Sequence, residues 1–413
     1  MANSISGISQ GISMLAVPWY FTGIIHREEL FGKVYFFITS ISLLWGLYAG
    51  ALIDRYDRKK IFLTINIVGL AVLTGVSIAG YSAGSLPWYL VALVFGTTAL
   101  IYNIHFPNLY AFAQEITPKE QYSKVTSTLE IQGQITFTLA GAFAAMLLQG
   151  LDGTLEIFGS TISIPISFRA WQIHEIFAVN AVTYVIAYAI IYRIKSLPVV
   201  EKKTDTTSLR NRLQAGVDFL FQHPVIFNFG NASLMVFLTI IICSTYVLPP
   251  YVDKFLGKGA NVYAMADMFF SFGALVAGIL TNKIFGDKKA VRGIIMLTAL
   301  AGIMYSFMMV NKVLFLFFAA QFVIGACNAA VRIQRVTYMF HHIPNHIIGR
   351  TGSIFFMMNV AFRLCLIGLF TLPFFHTGAQ IQYAMAVFAV ICFAAAIALW
   401  AQYGKLMQEP TTK

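Results

Sequence analysis

Apolar stretches of about 20 residues recur along the whole chain, among them "VYFFITSISLLWGLYAG" (34–50) and "IFLTINIVGLAVLTGVSIAG" (61–80). That is the length a helix needs to cross the hydrocarbon core of a bilayer. In hydrocarbon the backbone must satisfy its own hydrogen bonds, so only helices and closed barrels can span it. These runs are continuous and do not alternate at period two, which selects helices. The composition agrees: 58% of the 413 residues are hydrophobic and 11% charged. A soluble domain has about 45–50% and about 25%.

The expected fold class is therefore an all-α integral membrane protein. Twelve transmembrane helices are expected near 5–25, 33–53, 61–81, 86–110, 122–148, 173–193, 224–250, 262–284, 291–310, 314–338, 351–374 and 381–402. Two connections are long. One is 150–171; the other, 194–222, is polar and basic. The second divides the chain into an N-terminal six-helix half (1–193), a linker (194–222) and a C-terminal six-helix half (223–413).

The net charge of +11 raises the question of a nucleic-acid partner. Sorting the basic residues by side answers it. If the turn 54–60 is cytoplasmic, the loops on its side hold 21 of the 28 Lys and Arg residues. Arg27, Lys33, Arg169, Lys254, Lys258 and Lys312 fall on the other side, and Arg363 falls mid-span. Cytoplasmic loops carry an excess of Lys and Arg. The distribution thus accounts for the charge without nucleic acid and predicts both termini inside a bacterial-type inner membrane. Cys243, Cys327, Cys365 and Cys392 are far apart within spans and read as small buried hydrophobes, with no metal-ligand spacing. The first apolar segment lacks the basic start and small-residue cleavage site of a signal peptide.

The halves resemble each other. "AQEITPKEQYSKVTS" (113–127) aligns with "MFHHIPNHIIGRTGS" (339–353), placing Pro118 on Pro344, Lys124 on Arg350 and Ser127 on Ser353. Gly46, Gly50 and Asp54 correspond to Ala274, Gly278 and Asn282. Two similar six-helix halves describe a secondary transporter with its substrate site near mid-membrane between them.

The densest charge in the chain lies in "GLYAGALIDRYDRKK" (46–60). Gly46 and Gly50 share one helix face, where small residues let another helix come close. Asp54 continues that face at the helix C-terminus, where a carboxylate opposes the dipole and needs a partner. Arg55, Arg58, Lys59 and Lys60 anchor the turn at the membrane surface.

This stretch resembles the signature loop between helices two and three of the major facilitator superfamily, with Asp57 in place of the usual glycine. That substitution resembles the drug- and siderophore-export branch, and "HFPNLYAFAQEITPKEQ" (105–121) is similar to the end of helix four in macrolide-efflux-type exporters. "GISMLAVPWY" (11–20) resembles the end of helix one in that branch. The resemblance implies a latch in which Gly46, Gly50, Asp54, Arg55, Arg58 and Lys59 close a gate in alternating access. It also implies an extra half-helix before Met1, so the first helix reads as truncated. Asn282 replaces the acid of the second-half loop, and helix four lacks the Arg of many proton-coupled exporters.

Ionisable and polar residues inside a membrane are costly and are site candidates by default. Glu130 forms a polar stripe on helix five with Ser127, Gln134, Thr138 and Gly141. Arg363 sits mid-span in helix eleven, one turn after Asn359; it reads as an anion-binding group or half of a charge pair. Asp267 in helix eight shares a face with Ser271, Ala274 and Gly278. Asn103 and His105 lie just before Pro107 in helix four, and Gln321, Gly325 and Asn328 form a stripe on helix ten. Arg332 and Arg335 read as surface anchors, and most of the 37 Phe residues as lipid-facing.

The phosphate-cradling pattern GxxxxGK[ST] is absent from the sequence, as is any nucleophile constellation. The expected protein is thus a monomeric transporter, not an enzyme, without cofactor. Its partners are lipid, a small-molecule substrate and protons. Expected activity is export of a small amphipathic compound, drug, macrolide-like or siderophore-like, by proton antiport. Uptake, lipid translocation and a non-transporting sensor or scaffold are the alternatives.

Overall fold

The helices track the apolar runs because a continuous apolar segment in lipid has no other way to close its backbone hydrogen bonds. The computed structural model describes residues 2–115, 117, 122–157, 160–194, 209–284, 290–344 and 347–408. In the first part of the chain α1 spans Ala2–Trp19, α2 Glu28–Arg55, α3 Arg58–Ala83, α4 Trp88–Glu115, α5 Tyr122–Gln149 and α6 Ile173–Arg193. Next comes α7, Leu209–Gln222. The later helices are α8 (Pro224–Phe255), α9 (Ala260–Ile284), α10 (Ala290–Val310), α11 (Leu314–His342), α12 (Ile348–Phe370), α13 (Tyr383–Ala401) and the short α14 (Tyr403–Gln408). Among the described residues nine helices are long and apolar enough to cross a membrane. The helices α1, α2 and α5 are comparably long, at 18, 28 and 28 residues.

Among the described residues two helices carry π-helical turns. A π-helical turn, Tyr20–Ile24, follows Pro18 at the end of α1. Within α8 two further π-helical turns, Cys243–Val247 and Tyr251–Phe255, bracket Leu248–Pro250.

Among the described residues the fold is helical apart from one hairpin, and the connection 150–171 supplies it. Here β1 (Gly150–Ile157) pairs antiparallel with β2 (Ser160–Arg169), Gly150 facing Arg169 and Ile157 facing Ser160. Gly150 makes the corner possible: its φ is 80°, and a Cβ there would lie 2.6 Å from the backbone N of Ala170. After the hairpin, Arg169 and the backbone N–H of Gln172 both donate to Glu175 at the start of α6 (2.9 and 2.7 Å).

Contacts group the chain into two compact units. Unit 1 holds residues 1–205 and 258–268; unit 2 holds 206–257 and 269–413. The start of α9 thus belongs with unit 1, and α7, which forms within the expected linker, belongs with unit 2. In unit 1, α3 packs on α6, α1 on α5 and α6, and α4 on α2 and α3. In unit 2, α10 packs on α11 and α13, and α12 on α7. The glycines of α1 set one of these contacts: Cβ atoms on Gly7 and Gly11 would lie 2.8 Å from Thr136 and 2.6 Å from Ala140 of α5.

Many phenylalanines pack inside the units instead of facing outward. Phe31 stacks on Phe21 and meets Phe95 edge-on, and all three are buried. Lipid-type exposure falls to side chains such as Phe37, Ile78, Ile279, Ile397 and Trp400. Cys243, Cys327 and Cys392 are buried as expected of small apolar groups, but Cys365 is exposed on α12.

Candidate transport site

The signature turn is built from the ends of two helices. Tyr56 N–H closes α2 by donating to Leu52 O (2.9 Å), and Asp57 caps α3 by accepting from Lys60 N–H (2.8 Å). Asp57 is an ordinary N-cap, satisfying one of the donors a helix start leaves open. Lys59 Nζ donates to Tyr192 O and Ile194 O (2.9 and 2.7 Å), carbonyls at the C-terminus of α6. A cation is favoured there by the helix dipole. Asn108 of α4 donates to Arg58 O (2.9 Å), so the turn is tied to α4 and α6 within unit 1. Gly46 is half-buried, and Gly50 lies one turn further along α2. Asp54 and Arg55 occupy its last turn, but their side chains lie outside the described residues, as does that of Asn282.

Inside unit 1 several polar side chains find partners. Gln10 Nε2 donates to Tyr184 Oη (2.9 Å), Asn180 Nδ2 to Ser13 Oγ (2.9 Å), and Ser77 Oγ to His174 O (2.9 Å). Tyr102 of α4 is half-buried in the same unit. Asp267 is half-buried. Gly69 makes room for the Tyr184 ring, which a Cβ there would approach to 2.5 Å. The sequence singled out Asp267 but missed Gln10, Tyr102 and Tyr184. A glutamine in the first span was their one signal.

His105 is half-buried and meets Phe62 edge-on, 5.3 Å between ring centroids. Asn103 is half-buried on the same helix. Helix α5 runs through Glu130 and Gln134, whose side chains lie outside the described residues. Gly141, in the same stripe, lets α9 approach α5: a Cβ would lie 3.1 Å from Ala264 O and Met268 N.

Unit 2 presents the opposite chemistry. On α12, Asn359 is 5% exposed and its Nδ2 has no hydrogen-bond partner. One turn on, Arg363 is half-buried and its Nε is buried without a partner. Among the described residues no carboxylate forms an ion pair with it. Arg335, expected to be a surface anchor, instead lies with its guanidinium carbon 6.0 Å over the Phe355 ring and its Nε buried and unpartnered. Phe355 holds it inside because an aromatic face attracts a cation. On α11, Gln321 is buried and Asn328 half-buried. Between them Gly325 brings α11 close to α9: a Cβ would lie 1.9 Å from Phe270 O, and one on Gly273 1.9 Å from Phe322 O.

Two units of packed helices, a signature turn and polar groups buried in apolar surroundings agree with a family match over residues 1–363, to the model of the Major Facilitator Superfamily. The chain belongs to the major facilitator superfamily. It is a multi-pass membrane transporter and not an enzyme. Among relatives within the superfamily, macrolide efflux protein A of Enterococcus faecalis is 24% identical over 275 residues, covering 63% of this chain and 76% of that protein. The fold is similar to that of a bacterial homologue of the human lysosomal transporter Spinster in an inward-facing, unoccupied conformation. The TM-score is 0.70 at 11% identity, over 100% of this chain and 97% of that one. It is also similar to a D-xylose-proton symporter, with TM-score 0.67 at 13% identity over 97% and 96% of the two chains.

Proposed function

We propose that this superfamily member exports a small amphipathic compound from the cytoplasm by alternating access, exchanging it for protons. The likeness to macrolide efflux protein A carries this reading. The turn at 54–60 supplies the gate: Asp57, Lys59 and Asn108 fix its backbone, leaving Asp54 and Arg55 to engage and release. Glu130 and Asp267 are the proton-carrying candidates, being carboxylates within spans. The protein works as a monomer in the cytoplasmic membrane with both termini inside. Uptake is the second reading, favoured by the fold likeness to a proton symporter.

The test is compound accumulation in energised inside-out vesicles across a panel of amphipathic compounds, with and without an uncoupler. Export predicts uncoupler-sensitive accumulation that falls at least tenfold, in order of magnitude, in Asp54→Asn. Glu130→Gln is expected to abolish the gradient-driven part and retain binding. Accumulation only in right-side-out vesicles would establish uptake instead.

A further inference from the structure

Among the described residues of unit 2, one amide and two guanidinium nitrogens stand buried without acceptors: Asn359 Nδ2, Arg363 Nε and Arg335 Nε. Phe355, Asn359 and Arg363 follow one another at four-residue spacing along one face of α12. Each step along that face rises about 6 Å. Arg335 of α11 joins the row at Phe355. The result is a line of two cations with an amide between them, half-buried to buried within a single unit.

The sequence offers this line no counter-charge from its own unit. The carboxylates of unit 2 are Asp218, Asp253, Asp287 and Glu409. Asp218 is exposed on α7 and Asp253 lies in the last turn of α8, while Asp287 and Glu409 fall outside the expected spans in the sequence. Leaving a buried donor unpaired is costly, more so for a charged one. Water can accept the hydrogen bonds but cannot neutralise the charge. A group that accepts hydrogen bonds and is negative completes the row. A guanidinium beside an amide suits a planar carboxylate, which accepts from both.

We infer that Asn359 and Arg363, with Arg335 beside them, form a subsite for the anionic head of an amphipathic compound. The inference rests on the transport reading above and adds to it the charge of the cargo. Arg363 carries the ion pair, Asn359 orients the head through its amide, and Arg335 extends the positive field.

The test uses the full-length protein in phosphatidylcholine nanodiscs and three probes with one tail: dodecanoate, dodecanol and dodecylammonium. Binding is read by tryptophan fluorescence and by the shift in thermal midpoint. Wild type is expected to bind dodecanoate about tenfold or more tighter than dodecanol, with dodecylammonium weakest. Arg363→Gln should remove that preference, Arg363→Lys should keep part of it, and Asn359→Ala should reduce it severalfold. A second measurement guards against misfolded variants. Without probe, Arg363→Leu should unfold at an equal or higher temperature than wild type, since it removes a half-buried guanidinium whose buried Nε has no partner.

Equal affinity for the three probes in wild type would overturn the inference, as would an unchanged preference in Arg363→Gln or a large thermal loss in Arg363→Leu. Discs containing phosphatidylglycerol separate two sources of the anion: lost dodecanoate binding there assigns the subsite to a lipid head, retained binding to a soluble substrate. Vesicle assays keep the two readings apart. Anion preference without accumulation in either vesicle orientation would sink transport and leave the subsite standing. Export that ignores probe charge and is untouched by Arg363→Gln would sink the subsite alone.

Discussion

In unit 1, helices α1 and α6 meet through side-chain hydrogen bonds, Gln10 to Tyr184 and Asn180 to Ser13. In unit 2, α9 and α11 meet through glycines, Gly273 against the Phe322 carbonyl and Gly325 against that of Phe270. Ala274, Ala277, Ala329 and Ala330 fill the rest of that seam. Among the described residues of unit 2, Tyr251 donates to Met308 O and Tyr338 to Leu406 O near helix ends, and Thr239 meets the Cys392 sulfur between α8 and α13. Its mid-helix donors on α12 stay unpaired. Where polar groups bind each other they hold the architecture; where packing by small residues does that work, polar groups remain available to a ligand. A buried polar side chain in this protein therefore has to be read by its partner and not by its burial.

The largest expected effect breaks the glycine seam. Gly325→Val places a Cβ 1.9 Å from the Phe270 carbonyl, on backbone that cannot step aside. Size-exclusion chromatography of the variant should show loss of the monodisperse protein. Gly278→Ala on α9, where an added Cβ meets nothing within 4 Å, is the matched control. It should change stability by no more than about 1 kcal/mol. Equal behaviour of the two variants would remove close approach as the basis of the seam.

A middling effect sharpens the contrast in hydrogen bonding. Asn180→Leu strands the Ser13 hydroxyl, and a loss of about 1 kcal/mol is expected in thermal unfolding. Adding Ser13→Ala should return part of it. The same chemical change at Asn359, which has no partner to strand, should be neutral or stabilising. A similar loss at both sites would erase the distinction between the units.

The smallest expected effect concerns the signature turn. Lys59→Met removes a cation from the carbonyls of Tyr192 and Ile194. An end-of-helix charge at a surface contributes about 0.5 kcal/mol. The drop in thermal midpoint should be slight and should shrink further in high salt.

Much of this was legible beforehand because lipid leaves so few options. The run expected at 122–148 forms Tyr122–Gln149, and that at 291–310 forms Ala290–Val310. Asn359 and Arg363 were legible because a charge in mid-span has no casual reason to be there. Arg335 was misread because it lies near a span end, where snorkelling to the surface is the usual outcome; Phe355 holds it inside, and that contact is three-dimensional. Tyr184 went unnoticed among 19 tyrosines, since nothing local distinguishes a bonded one. The hairpin did leave a trace: "STISIPISF" alternates at period two, but its length and position within a loop suggested no element.

The π-helical turns in α1 and α8 carry a consequence for how the chain tolerates changes in length. A π turn holds one residue more than the α turn it replaces, so every side chain beyond it is rotated by about 100° relative to an uninterrupted helix. Removing one residue from 243–247 would let α8 close into regular α geometry while turning the Tyr251–Phe255 segment away from its present neighbours, including the Met308 carbonyl held by Tyr251. The same holds for Tyr20, which donates to Leu86 O from inside the turn that ends α1. In these two helices the count of residues, as much as their identity, decides which side chains face inward.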